Sequence, residues 1–167
     1  MLEKKISLLK IQPEHNGALA KIIRDTLSEF NAAKPGTVFF DPTTDDLFRL
    51  FQTPRSYYYT AYLGDKIVGG CGVFPSAGLP IETCELVKLY LLPEARGIGL
   101  GKKLIKICCE KAVELGYSKI YLETLPELKF AVPLYESVGF EYVPESLTGG
   151  EHFGCNLFMI KSLADGL

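Results

Sequence analysis

The order of hydrophobic and polar positions along the chain predicts a mixture of strands and helices. Residues 5–11 alternate weakly between apolar and polar, which indicates a first strand. A helix is predicted to open at Pro13-Glu14, and the apolar residues behind it recur at helical spacing: Leu19, Ile22, Ile23, Leu27 and Phe30. Thr44 is expected to cap a second, short helix over 45–51.

The middle of the chain predicts a hairpin. Residues 56–63 are aromatic and β-branched, Gly64-Asp65 forms a turn, and 67–74 returns as the partner strand. Three glycines weaken that second strand, so we expect a bulge there or the close approach of another segment: Gly69, Gly70 and Gly72.

A largely apolar strand, 84–92, is predicted to lie at the centre of the sheet. Strict alternation would place Glu85, Val87, Leu89 and Leu91 on one face, and Leu86, Lys88, Tyr90 and Leu92 on the other. Charged side chains in a buried strand are costly unless they are paired or functional. Glu85 and Lys88 are therefore of interest for function.

The rest of the chain completes an α/β pattern. An amphipathic helix follows 84–92 and ends at Gly116, and a strand is predicted at 119–124. A helix is predicted at 127–138, which Pro133 should kink or shorten. Strands at 140–143 and 153–160 close the order β-α-α-β-β-β-α-β-α-β-β. We expect one domain, 1–167, with a single mixed, mostly antiparallel sheet flanked by helices.

The turn between the central strand and the next helix predicts a phosphate site. It reads Arg96-Gly97-Ile98-Gly99-Leu100-Gly101 and is followed by Lys102. A helix start offers unpaired N–H groups and a positive dipole end, and glycines let a ligand approach the backbone. A pyrophosphate suits such a site. The dinucleotide fingerprint and the P-loop both fail, because their required glycines are absent.

Two motifs make the sequence resemble the GNAT superfamily of N-acetyltransferases. Arg96, Gly99 and Gly101 match the acetyl-CoA loop of that family, Q/R-x-x-G-x-G/A, and the segment 134–140 looks like its second signature, L-Y-x-x-x-G-F. The resemblance covers about residues 67–160. It implies the GNAT-like acyl-CoA N-acyltransferase fold and the transfer of an acetyl group from acetyl-CoA to an amine.

The resemblance also implies how the co-substrate is held. The backbone of the strand's end would hold the pantetheine arm as an added strand, and the glycine turn would cradle the pyrophosphate. The residues expected to bind acetyl-CoA are Tyr90, Leu91, Leu92, Arg96, Gly97, Ile98, Gly99, Leu100, Gly101 and Lys102. Leu128 departs from the family, which often has an asparagine there, and this removes one contact to the co-substrate.

Two residues are candidates for catalysis. Glu85 lies eleven residues before Arg96, the spacing at which several family members place a glutamate that removes the proton of the amine. Its alternatives are a structural pair with Lys88 or Arg55, or an anchor for substrate. Tyr135, the tyrosine of the second signature, is expected to protonate the departing thiolate. Its alternative is packing beneath the co-substrate.

Composition limits the classes of partner. The formal charge of −2 argues against a general affinity for nucleic acid or membranes, and no apolar run reaches the roughly 20 residues of a membrane helix. The N-terminal segment shows no secretion signal, and the five cysteines are interpreted as reduced core thiols, so we expect a cytoplasmic protein. Only two histidines are present, and no metal site is expected. Relatives often dimerise, so a homodimer stays open.

The sequence therefore predicts an N-acetyltransferase that acts on a small-molecule amine. Alternatives are a non-catalytic module of the same fold that binds or senses acyl-CoA, and an acetyltransferase for a protein amine. A nicotinamide-binding protein is disfavoured. Substrate contacts are expected from Phe39, Phe40, the run Tyr57-Tyr58-Tyr59, Phe74 and the turn 149–155.

Overall fold

The computed structural model describes residues 3–150 and 153–164. Within them the chain forms four α-helices: α1 (Asn16–Glu29), α2 (Leu47–Leu50), α3 (Leu100–Glu114) and α4 (Ala131–Ser137). The strands are β1 (Ile6–Lys10), β2 (Tyr57–Leu63), β3 (Lys66–Phe74), β4 (Thr83–Leu91), β5 (Lys119–Thr124), β6 (Glu141–Val143) and β7 (Leu157–Ser162). This is the order of elements that the sequence predicts.

The strands form a single mixed sheet in the order β1-β2-β3-β4-β5-β7-β6. Every neighbouring pair is antiparallel except β4 and β5, so the predicted fold class is confirmed. Helix α3 packs in the larger cluster of buried residues, and α1 and α2 pack in a second cluster. Tyr59 belongs to the first cluster and Tyr58 to the second, as alternation along β2 requires.

Strands β4 and β5 stay paired over a short distance. Their register joins Thr83, Cys84 and Glu85 to residues 119–121. Beyond Glu85, no described strand pairs with β4 on the side of β5. The backbone of β4 therefore has a free edge in the interior of the sheet, where the functional site is expected.

A bulge in β4 overturns the predicted alternation. Gly72 pairs with Val87 and Gly70 with Tyr90, so two residues of β4 lie opposite one residue of β3. Lys88 has a φ of 55°, which is unusual for a residue with a side chain. The extra residue exchanges the two faces, and Leu86 and Leu89 consequently pack in the same cluster.

Two predicted helix starts are wrong. Asp46 and not Thr44 caps α2, with its side chain accepting a hydrogen bond from the N–H of Arg49. The Thr44 hydroxyl donates instead to the carbonyl of Val38. Helix α4 begins at Ala131 and not at residue 127, which leaves Pro133 in the first turn, where the missing N–H costs no helical hydrogen bond.

Strand β7 also differs from its prediction. It starts at Leu157 and runs to Ser162, whereas the apolar pattern predicts 153–160. Phe153 is largely exposed, and its ring lies over Gly36, where an added Cβ would come within 2.6 Å of the ring. The aromatic residue is thus used in a loop contact and not in the ladder.

The close packing around β3 predicts that Gly70 tolerates no side chain. A Cβ there would lie 2.5 Å from both the Tyr58 ring and the carbonyl oxygen of Tyr59. We expect Gly70→Ala to lower the free energy of unfolding by about 1–3 kcal/mol in denaturant titrations. Gly17→Ala is the matched control, because its Cβ meets nothing within 4 Å on helix α1. It should be neutral or stabilising by up to about 1 kcal/mol. Equal stability of the two variants would contradict the packing argument.

Candidate active site

The glycine turn lies open at the start of helix α3. Gly99 is the N-cap residue with a φ of 81°, and Gly97 has a φ of 74°, so both adopt the left-handed conformation that glycine tolerates. A Cβ added at either position would meet nothing within 4 Å. The first N–H groups of this 15-residue helix have no partner within the helix. The surface beside them is therefore open to a ligand. This arrangement fits a phosphate group.

An outer cleft of about 460 Å³ lies beside this turn. Its lining includes Tyr90, Leu91, Arg96, Gly97, Gly99, Gly101 and Lys102, which are seven of the ten residues expected to bind acetyl-CoA. The other three are placed differently. Leu100 is buried in the core, Leu92 packs against the same core, and Ile98 is half exposed at the tip of the turn.

The Arg96 side chain is already committed to protein contacts. Its Nε donates to the carbonyl of Leu91 at 2.9 Å, and its two terminal nitrogens bind the carboxylate of Glu29 at 2.6 and 3.2 Å. The guanidinium also lies over the ring of Phe30. The sequence predicts Arg96 as a positive charge flanking the turn, yet here that charge is balanced by the end of α1. Lys102 is the exposed cation of the turn.

An inner cavity of about 50 Å³ adjoins the outer cleft, since Leu89, Tyr90 and Leu128 line both. Glu85 and Tyr135 both line this inner cavity. The structure thus brings together the two predicted catalytic residues, which lie 50 positions apart in the sequence.

Glu85 is held by a defined hydrogen bond. Its side chain is 5% exposed, and Oε2 accepts a hydrogen bond of 2.7 Å from the hydroxyl of Ser76, a buried residue of the loop after β3. Arg55, one of its alternative partners, donates instead to the carbonyls of Leu115 and Ile81. The Glu85 carboxylate lines the cavity from a buried strand.

Tyr135 is 7% exposed and packs edge-to-face on Phe140. Burial raises the pKa of its phenol well above the ordinary value, with smaller contributions from Cys71, Tyr90 and Cys155. The hydroxyl therefore keeps its proton at neutral pH. It makes no hydrogen bond within the part of the chain that the structure describes. The geometry is compatible with a proton donor and with packing beneath a ligand.

A second carboxylate of the inner cavity was not predicted. Glu123 lines the cavity, and its Oε2 accepts hydrogen bonds of 2.6 Å from Tyr121, Ser146 and Thr148. These contacts tie the loop after β6 to β5. The signal was present in the sequence, because Tyr121 and Glu123 share one face of the predicted strand 119–124.

Cys155 also lines the inner cavity without having been predicted as a site residue. Burial raises the pKa of its thiol to about 12, and the carboxylates of Glu123 and Glu85 add to the increase. The thiol therefore stays protonated at neutral pH and behaves as an apolar lining group.

The predicted substrate contacts are placed unevenly. In the segment after α1, Thr37 and Val38 line the inner cavity, whereas Phe39 packs against the second core cluster and Phe40 is 60% exposed. The aromatic run of β2 and Phe74 belong to the core clusters. Residues 151–152 of the predicted 149–155 turn lie outside the described residues.

In residues 3–150 and 153–164, no group of three or more histidine, cysteine, aspartate or glutamate side chains could hold a metal ion. No helix in the same ranges is long and apolar enough to cross a membrane.

Comparison with known proteins gives the family. The model of the acetyltransferase (GNAT) family matches residues 20–140. The uncharacterized N-acetyltransferase YjgM of Escherichia coli is 37% identical over 151 residues, which cover 90% of each chain. The chain therefore belongs to the GNAT family, as its motifs predict, and is an acetyl-CoA-dependent N-acetyltransferase.

Solved structures of low sequence identity share the fold. A GNAT-family acetyltransferase of Staphylococcus aureus matches with a TM-score of 0.82 and 19% identity, over 95% of this chain and 99% of the other. The Salmonella typhimurium acetyltransferase yncA matches with a TM-score of 0.73 and 18% identity, over 96% and 95%, and its structure contains acetyl-CoA. At this identity the likeness concerns the fold.

The open glycine turn predicts that a negative charge there blocks acetyl-CoA. Aspartate tolerates the left-handed conformation, so Gly99→Asp should fold and place a carboxylate at the start of α3. Acetyl-CoA should raise the melting temperature of the wild-type protein by mass action, and this increase should be abolished in Gly99→Asp.

Two controls separate charge from strain. Gly99→Asn has a similar shape without the charge and should keep a larger part of the temperature increase. Gly64→Asp carries the same change at a glycine with a φ of 65° and open space around its Cβ, in the turn between β2 and β3. It should respond to acetyl-CoA as the wild type does. An unchanged response of folded Gly99→Asp would exclude the turn as the phosphate site.

Proposed function

We propose that the protein transfers the acetyl group of acetyl-CoA to a primary amine of a small molecule, by direct attack of the amine on the thioester. The observation that carries this proposal is that the outer cleft and the inner cavity are adjacent and share three lining residues. One end offers a glycine turn and a helix start, and the other offers Glu85 and Tyr135. A ligand that spans both would have its phosphates and its reacting end at chemically suitable places.

The outer cleft is assigned to acetyl-CoA. The N–H groups of 98–102 would hold the pyrophosphate, with Lys102 beside them. The pantetheine arm would lie along the free edge of β4 at Tyr90 and Leu91, since no described strand occupies that edge beyond Glu85. The yncA structure, which shares this fold, contains acetyl-CoA, and this supports acetyl-CoA as the ligand of the cleft. The leucine at position 128 offers apolar contact in place of a polar one.

Glu85 is assigned to the removal of a proton from the acceptor. A primary amine is mostly an ammonium ion at neutral pH and cannot attack until it loses that proton. The carboxylate takes the proton directly or through one water molecule. The free amine then forms a bond to the carbonyl carbon, the bond from that carbon to sulfur breaks, and the nitrogen releases its second proton to solvent to give the amide. Ser76 orients the base through its hydrogen bond.

Tyr135 is assigned to the leaving group. Its phenol carries a proton at neutral pH because burial raises its pKa. Donation of that proton, or of a hydrogen bond, to the sulfur would stabilise the departing thiolate. Holding the two reactants side by side supplies a further part of the rate.

The inner cavity suits a small cationic acceptor. Among the described residues that line it, Glu85 and Glu123 are the carboxylates and Lys88 is the one cationic side chain. Its volume of about 50 Å³ admits a narrow group such as an aminomethyl end. This acceptor class is tested by incubating acetyl-CoA with a panel of primary monoamines and diamines and measuring the release of free thiol. Turnover of lysine peptides alone would assign a protein amine, and acetyl-CoA binding without any turnover would assign a sensing module.

Glu85→Gln tests the base. The amide keeps the shape and loses the proton acceptor, so turnover at neutral pH should fall by about 10²–10⁴-fold. The defect should shrink as pH rises, because solution then supplies more free amine. The melting-temperature response to acetyl-CoA should be retained. Glu82→Gln removes the same charge from the exposed segment before β4 and should leave activity unchanged. Full activity of Glu85→Gln with an unaltered pH profile would return Glu85 to a structural role.

Tyr135→Phe tests the acid. If the hydroxyl protonates the thiolate, turnover should fall while the Michaelis constant for acetyl-CoA changes little. When the thiol of an acyl donor has a lower pKa, its thiolate leaves more easily. Turnover of that donor should therefore be less sensitive to the loss of the hydroxyl. Wild-type turnover with every donor, together with a raised Michaelis constant in Tyr135→Ala, would show that Tyr135 orders the co-substrate by packing.

A further inference from the structure

Tyr58 makes a hydrogen bond that spans three strands. It belongs to β2, its side chain is 1% exposed, and its hydroxyl donates to the carbonyl of Lys88 on β4 at 2.9 Å. Strand β3 lies between the two in the sheet. The ring must therefore cross β3 to reach its acceptor.

Two glycines of β3 make this crossing possible. A Cβ at Gly70 would lie 2.5 Å from Cε1 of the Tyr58 ring, and a Cβ at Gly72 would lie 2.7 Å from Cδ2. Both distances are far below van der Waals contact. The ring thus occupies the space that side chains at these positions would need, and Phe51 packs against it from the other direction. The Tyr58 ring therefore explains why positions 70 and 72 are glycines.

The acceptor of this bond is the residue at which β4 departs from regular geometry. Lys88 has a φ of 55°, and the register skips one residue opposite the segment Gly70–Gly72. A buried carbonyl displaced from the ladder needs a hydrogen-bond donor. Tyr58 supplies it. The residues that follow the bulge, Leu89 and Tyr90, line both the outer cleft and the inner cavity.

We propose that Tyr58 is a positioning residue for the reaction, because its hydroxyl fixes the Lys88 bulge and thereby the β4 backbone beside which the thioester binds. The proposal rests on the proposed function. Tyr58 lines neither the outer cleft nor the inner cavity, so it acts through β4. The phosphate end of the site is held separately, by the start of α3 and by the bond from Arg96 to Leu91. The hydroxyl should therefore affect the reacting end and not the affinity for acetyl-CoA.

Tyr58→Phe tests the proposal by removing one oxygen atom. We expect kcat to fall about tenfold or more, with the Michaelis constant for acetyl-CoA and the ligand-induced melting-temperature increase within about twofold of wild type. Tyr117→Phe is the matched control. Tyr117 is 4% exposed and donates to the carbonyl of Arg55 at 2.8 Å, away from the cleft. The Tyr117→Phe variant should lose about as much free energy of unfolding as Tyr58→Phe does, and it should keep the wild-type kcat.

A second measurement is independent of turnover. Amide hydrogen exchange in the peptide 86–91 should accelerate in Tyr58→Phe and stay unchanged in Tyr117→Phe. Faster exchange with a normal kcat would overturn the catalytic part of the proposal, and unchanged exchange would overturn the role of Tyr58 in the bulge. The exchange result does not depend on the acceptor or on Glu85. Failure of the proposed function is therefore distinguishable from failure of this inference.

Discussion

The end of pairing between β4 and β5 at Glu85 is the constraint on which the site depends. Parallel strands normally share their ladder over most of their length, but here three residues of each pair. The separation frees a buried strand edge, opens space for two contiguous cavities, and leaves Glu85 at the point where the strands part. A sheet interior normally satisfies every backbone group. In the proposed function, the free edge is the place where the amide groups of the pantetheine arm would replace a missing strand.

The separation is stabilised by contacts that come from distant parts of the chain. Arg96 links the end of β4 to the last residue of α1. Lys34 and Glu127 form an ion pair between the segment after α1 and the segment after β5. Phe30 and Phe130 meet edge-to-face between the same two segments. The opening between the strands is therefore bounded by α1 and the approach to α4, and the family fold and the chemistry depend on the same geometry.

Local chemistry was enough to predict most of the fold and the position of the site. The glycine turn, its helix and the hairpin follow from residue preferences that act within a few positions, and the family motifs placed Glu85 and Tyr135 with the turn. The bulge at Lys88 was missed because lysine has no preference for a positive φ. The hint lay on another strand, in Gly70 and Gly72. The Arg96–Glu29 pair joins residues 67 positions apart, which no local pattern reveals. The start of α4 was misplaced because Pro133 was placed inside the helix, whereas a proline is best tolerated in a first turn.

The tyrosine that crosses β3 has a consequence for how this sequence can vary. Positions 58, 70 and 72 share one volume of space, so none of them can be changed independently of the others. A side chain at position 70 or 72 requires a smaller residue at 58, and a smaller residue at 58 leaves the bulge carbonyl without its donor. Among relatives, these three positions should covary as a unit, and lineages that lack the tyrosine should carry a different donor for the carbonyl at position 88.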